Sequence, residues 1–207
     1  MLQISTIHPT TLALLKRLQS IPELAETRLV GGTALALHLG HRLSIDLDLF
    51  GTFDNEIITE ILKSEDFDEF YVFSESKAIK RYSINNVKVD IVNYDRYQWL
   101  EDVVVDDQIR VAGLKDIAAM KVAAITNRGS KKDFVDMFFM LQVFDIQEIL
   151  EFYRTKYFDT NLFFAIISLN YFRDAEKENM PQMLIPTTWN DVKERIAAAV
   201  KATNDTN

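Results

Sequence analysis

Asp46 and Asp48 flank a single leucine in the segment Ser44-Ile45-Asp46-Leu47-Asp48-Leu49-Phe50. In a strand, alternate side chains share a face. Ile45, Leu47 and Leu49 would then turn into a core, and the two carboxylates would project together on the other side. Two such charges about 4 Å apart repel by about 4 kcal/mol at the effective dielectric of a protein surface. They must stand in water, share a proton or hold a cation. Oxygen ligands on a rigid strand suit a hard divalent ion that keeps several waters and takes substrate phosphates as further ligands. A solvated strand edge is the plainer alternative.

Two neighbouring features bear on that choice. Upstream, Gly31-Gly32-Thr33 falls between an expected strand and an expected helix. Glycines there let backbone approach an anion, and the helix N-terminus offers unpaired N–H groups. Thr33 would add a hydroxyl contact or cap the helix. Downstream, the strand 87–92 turns Val89 and Ile91 one way and Lys88 and Asp90 the other, so Asp90 is a third carboxylate on a polar face.

Further along, Leu114, Ile117, Ala118, Ala124 and Ile125 form one helical stripe with Lys121 in its middle. A lysine facing a core is costly unless it is paired or serves an anion; a snorkelling surface lysine is the alternative. Ser130-Lys131-Lys132-Asp133 fits a capping box, with Asp133 reaching back to Ser130. Asp136 stands one helical turn beyond Lys132, where an i,i+4 ion pair is the simple expectation, yet Phe139 and Met140 lie on its flank.

The elements that must position these groups read as follows. Helices are expected over 10–19, 33–39 (ended by Gly40) and 55–63, and strands over 28–31, 45–50, 70–73, 79–84 and 87–92. Asn85-Asn86 suits a tight hairpin turn. Residues 1–112 read as an α/β core and 113–207 as a helical C-terminal region packed on it.

The ordered set Gly31-Gly32-Thr33, twelve residues, Asp46-x-Asp48 and a later strand aspartate resembles the nucleotidyltransferase superfamily of DNA polymerase β. More narrowly, GGTALAL…GHR-x-S-x-D-x-D-x-F is similar to the AbiEii/AbiGii toxin family. The stretch AMKVAAITNRGSKKDFVDMFFML resembles that family's second signature, a helical lysine followed by R…KD-x-x-D, and NYFRDAEKENMPQML its C-terminal helix region. The likeness spans Leu29 to Trp189.

The resemblance implies an α+β fold: a nucleotidyltransferase-type mixed sheet flanked by helices, followed by a helical C-terminal half. It implies transfer of an NMP from an NTP to a hydroxyl acceptor such as the 3′ end of tRNA, in a toxin of a toxin–antitoxin or phage abortive-infection system. A cognate antitoxin, a winged-helix regulator, would accompany it. Asp46, Asp48, Asp90, Lys121 and Asp136 would be catalytic, with Asp46, Asp48 and Asp90 holding Mg²⁺ or Mn²⁺. Gly31, Gly32, Thr33, Arg42, Ser44, Arg128, Lys132 and Asp133 would bind nucleotide. Arg42 is open to a second role, a salt bridge to the acidic cluster; His38 and His41 read as incidental.

Composition narrows the alternatives. The chain has 207 residues, no cysteine and a formal net charge of −8, which excludes thiolate metal sites and argues against bulk electrostatic binding of nucleic acid. Residues 110–132 run against that trend, with six basic side chains against Asp116 alone, as a local anion site would require. The absence of a signal-like N-terminus and of any long apolar run points to a cytoplasmic protein with no membrane contact. D-x-D also serves glycosyltransferases, but 45 residues before the motif are few for a nucleotide-binding sheet. A catalytically silent binding or regulatory module on the same fold is the remaining rival.

Overall fold

The computed structural model describes residues 1–204. In chain order the elements are α1 (Pro9–Ser20), β1 (Arg28–Val30), α2 (Gly31–Leu39), β2 (Leu47–Gly51), α3 (Ile58–Ser64), β3 (Phe70–Glu75), β4 (Ile79–Ile84), β5 (Val87–Asn93), β6 (Val104–Asp106) and β7 (Ile109–Val111). Helices alone follow: α4 (Leu114–Asn127), α5 (Lys131–Met140), α6 (Ile146–Lys156), α7 (Leu162–Leu169) and α8 (Trp189–Asn204), apart from short 3₁₀ turns.

The strands form one mixed sheet in the order β3-β4-β5-β2-β1-β7-β6. β2 runs parallel to β5 and antiparallel to β1, and β1 is parallel to β7. Period-2 patterning sets which side is buried. Leu29, Leu47, Leu49, Val89, Ile91 and Val111 are fully buried, which leaves Asp48 and Asp90 on the opposite face. Asn85 and Asn86 join β4 to β5 with both φ values positive, as a tight hairpin requires. The β6–β7 hairpin, turned at Asp107-Gln108, is an addition; its strands are three residues each, too short for alternation to register.

Local boundaries differ where tertiary contacts decide them. β2 starts at Leu47 rather than residue 45, so Ile45 lies outside the sheet and is 68% exposed instead of buried. The reason is visible in the bonding: Ser44 bridges to Ile7, and the Thr33 hydroxyl takes the Asp46 carbonyl, which holds 44–46 away from the ladder. α2 begins at Gly31 rather than Thr33 and ends, as expected, at a left-handed Gly40. α3 starts at Ile58 rather than residue 55.

α4 is the central helix of the C-terminal part, packing on α2, α5, α6 and α7. α5 is buried along most of its length, with Phe134 set against the rings of Phe172 and Trp189 at 5.0 and 6.0 Å. Among the described residues, no helix is long and apolar enough to cross a membrane.

Candidate active site

The strand register brings the acidic groups together. Asp48 on β2 is the Cα partner of Asp90 on β5, and Val30 at the end of β1 is the partner of Asp48 on its other side. In-register residues of neighbouring strands point to one face about 5 Å apart. Burial, followed by the charge of Asp90, raises the Asp48 carboxyl to about 6. Asp90 Oδ2 has Lys88 Nζ at 3.4 Å and Arg81 Nε at 3.5 Å, but its Oδ1 is buried without a hydrogen-bond partner. Asp46, just outside β2, is more exposed and lies 3.6 Å from Lys132 Nζ.

β1 runs directly into α2, whose first turn has no side-chain cap, which leaves the positive end of the helix at the cavity wall formed by Gly31, Gly32 and Thr33. Gly31 has φ +72°, and a Cβ there would collide with Asp48 Oδ2; a Cβ on Gly32 would collide with Arg42 Nη2. A side chain at either position would therefore have to push Asp48 or Arg42 aside, and at Gly31 the backbone conformation also favours glycine. The Thr33 hydroxyl is bonded to Ser44 Oγ at 2.8 Å, which ties the helix start to the segment carrying Asp46.

These groups line one cavity of about 90 Å³: Gly31, Gly32, Thr33, Arg42, Ser44, Asp46, Asp48, Asp90, Lys121, Arg128 and Lys132 from the sequence expectation, with Lys88 added. Five cations and three carboxylates thus share a small polar space. Asp133 and Asp136 are not in its wall. They stand fully buried behind it on α5.

Asp136 binds Arg42 through two bonds, Nε to Oδ1 at 2.7 Å and Nη2 to Oδ2 at 2.9 Å, and meets His41 Nε2 at 2.8 Å and Lys121 Nζ at 2.5 Å. Asp133 holds Lys121 Nζ at 3.2 Å, Arg128 Nε at 2.8 Å and Ser130 Oγ at 2.6 Å. Burial pushes both carboxyls up, but these donors more than offset it and hold both below the usual carboxylate range. Three of the cavity's cations are in this way fixed from behind by two aspartates of one helix.

Several sequence expectations change here. Lys121 keeps its expected core-facing place, and the snorkelling alternative falls: it is buried with its charge met by Asp133 and Asp136. The Ser130 side chain caps no backbone N–H of α5; it donates to the Asp133 carboxylate, so the capping box does not form. Lys132 reaches Asp46 rather than Asp136, because Asp136 faces inward. Arg42 does form a salt bridge, with Asp136 rather than with the strand aspartates. His41 is not incidental: it is fully buried, its pKa is lowered by burial, and its neutral ring donates to Asp136. His38 bonds the Ala112 carbonyl at 2.9 Å. Of the six basic residues in 110–132, only Lys121, Arg128 and Lys132 reach the cavity. Arg110 ties backbone carbonyls, Lys115 pairs with Glu101 and Lys131 bonds carbonyls at 176 and 178.

The residues fit a hard divalent cation in part. Asp48 and Asp90 present oxygen donors side by side, one of them orphaned. Among the described residues, however, no three acidic or histidine side chains converge into a ready-made cation cage. A cation at this pair would complete its shell with water and phosphate oxygens, the habit of Mg²⁺. Asp46 stands by Lys132 at the margin.

Comparison with known proteins gives a consistent picture. A family model described as "Nucleotidyl transferase AbiEii toxin, Type IV TA system" matches residues 13–204. The uncharacterized protein aq_aa25 of Aquifex aeolicus (strain VF5) is 34% identical over 181 residues, covering 84% of this chain and 85% of that protein. The crystal structure of JHP933 from Helicobacter pylori is similar with a TM-score of 0.59 at 15% identity, covering 97% of this chain and 94% of that one. MenT4, a nucleotidyltransferase toxin from Mycobacterium tuberculosis H37Rv, gives 0.51 at 17% identity over 90% and 81%. At those identities the structural likeness speaks for the fold.

Proposed function

Since the chain belongs to the AbiEii nucleotidyltransferase toxin family, and is a nucleotidyltransferase on that ground, we propose that it moves an NMP from an NTP onto a hydroxyl acceptor, the 3′ end of tRNA being the acceptor favoured by the family resemblance. It would act as the toxin of a toxin–antitoxin or abortive-infection pair whose antitoxin is a winged-helix regulator. The observation that carries the chemistry is the in-register Asp48–Asp90 pair facing the uncapped start of α2 across a cavity walled by five cations.

In this reading the triphosphate lies against the backbone N–H groups of Gly32 and Thr33, with Arg42, Lys121, Arg128 and Lys132 balancing its charge. A divalent cation bound by Asp48 and Asp90, with Asp46 near, would neutralise the phosphate oxygens. Asp90 accepts the proton of the attacking hydroxyl. The acceptor oxygen bonds to the α-phosphorus as the bond to the β-phosphate bridging oxygen breaks, and pyrophosphate leaves in line. Asp133 and Asp136 act as positioning residues: they touch no substrate and hold the cations that do.

The test incubates the protein with labelled NTPs, Mg²⁺ and total RNA. Label should pass to RNA, and Asp48→Ala should abolish transfer while leaving the fold intact. Transfer that survives Asp48→Ala would overturn the assignment, and nucleotide binding without any transfer would favour a silent module.

A further inference from the structure

Two clefts adjoin the polar cavity at Arg128, and both have Asn127 and Arg128 in their walls. One, of about 280 Å³, lies over the sheet and is lined by Asp48, Asp90, Arg81, Ile79, Val92 and Met120 among others. The other, of about 340 Å³, lies between the end of α4 and α7, with Arg128, Gly129, Phe164, Ile167, Ser168 and Tyr171 in its wall. A nucleotidyl transfer brings two organic groups to one phosphorus, the donor nucleoside and the acceptor. Each needs its own approach.

The chemistry separates them. An attacking hydroxyl must come within hydrogen-bond reach of the group that takes its proton. Asp90 lines the sheet-side cleft and not the other. The α4–α7 cleft shares with the polar cavity a single residue, Arg128, a cation of the phosphate-binding set. Arg128 stands in the wall of both clefts, so a nucleoside that keeps clear of the Asp90 side has the α4–α7 cleft as its seat beside that cation.

What it meets there is suited to a flat heteroaromatic ring. Phe164, Ile167 and Tyr171 are 55%, 48% and 49% exposed, so about half of each residue's surface is open to a ligand. Arg128, pinned to Asp133 through two bonds, adds a planar guanidinium to the same wall. Aromatic side chains and an oriented arginine are the usual surfaces on which bases stack. Asn127, Ser168 and Asp174 border the cleft with donors and acceptors for base edges or ribose hydroxyls.

We propose that the α4–α7 cleft seats the nucleoside of the incoming NTP, with Phe164 and Tyr171 as stacking surfaces, and that the sheet-side cleft admits the acceptor. The assignment rests on the nucleotidyltransferase reading and adds where base preference is set.

The experiment measures binding of an α,β-methylene NTP and of inorganic triphosphate, each with Mg²⁺, to the full chain and three variants. Tyr171→Ala and Phe164→Ala should each raise the Kd for the nucleotide about tenfold and leave triphosphate binding unchanged, which also shows that the site is folded. Ile79→Trp, which fills the sheet-side cleft, should bind both probes as the parent does and lose transfer to RNA. Nucleotide binding unaffected by both alanine variants, or weakened by Ile79→Trp with triphosphate binding intact, would overturn the assignment. A parent protein that binds neither probe would instead remove the nucleotidyltransferase reading, and the cleft assignment with it.

Discussion

Asp48 and Asp90 are Cα partners across the parallel strands β2 and β5, two like charges set side by side where an orphaned Asp90 oxygen waits for a partner. The Asp48 carboxyl, raised by burial and then by its neighbour to about 6, contributes stability that is fully present below its unfolded value near 3.8 and is lost as pH rises through about 6. Asp48→Asn removes that dependence. With divalent ions chelated, this variant should melt a few degrees higher than the parent near pH 7.5, and the difference should vanish below about pH 4. Thermal melts across pH check it. Added Mg²⁺ should raise the parent's Tm and not the variant's.

Asp136 behaves in the opposite sense. Its four donor contacts are buried, so Asp136→Ala leaves Arg42 Nε and Nη2 and His41 Nε2 without their acceptor and Lys121 with Asp133 alone. Removing one member of a buried ion cluster costs about 3 to 5 kcal/mol, or about 10 °C in Tm for a chain of this size. Because its folded pKa is lowered, the stability it contributes is present above about 3.8 and lost as pH falls through that depressed value. A variant that melts like the parent would contradict the network.

Gly32→Ala places a methyl group on Arg42 Nη2, a guanidinium already clamped by Asp136. The arginine must leave its position in the cavity wall. We expect kcat/KM to fall about a hundredfold, with a loss of Tm smaller than that of Asp136→Ala because His41 and Lys121 keep their bonds to Asp136. Steady-state transfer assays alongside melts separate the two effects. Gly31→Ala should be worse, since φ of +72° adds backbone strain to the collision with Asp48.

His41→Leu deletes one donor to Asp136 and should cost about 1 to 3 kcal/mol, read as a fall in Tm, while nucleotide binding is weakened through a loosened Arg42.

Much of the site was legible because its logic is local. Alternation placed Asp90 opposite Val89 and Ile91, and the glycine pair before a helix marked the turn that closes on Asp48 and Arg42. Lys121 in an apolar stripe announced a buried charge. What was hidden depends on contacts far apart in the chain. Nothing near His41 signals an aspartate 95 positions away. The Ser130/Asp133 spacing imitates a capping box, but two cations from α4 and its C-terminus outbid the backbone for that carboxylate. Alternation also misread Ile45, since a bridge to Ile7 decides where β2 starts. The short β6 and β7 strands carried no pattern of their own.

The ten-residue helix α5 anchors Arg42, Lys121 and Arg128 through just two side chains, the first cation arriving from the segment after α2 and the other two from α4 and its C-terminus. Its position and the assembly of the charged wall are therefore a single mechanical variable. Sliding that helix by one turn would strip all three at once, so activity would fail as a switch and not by degrees.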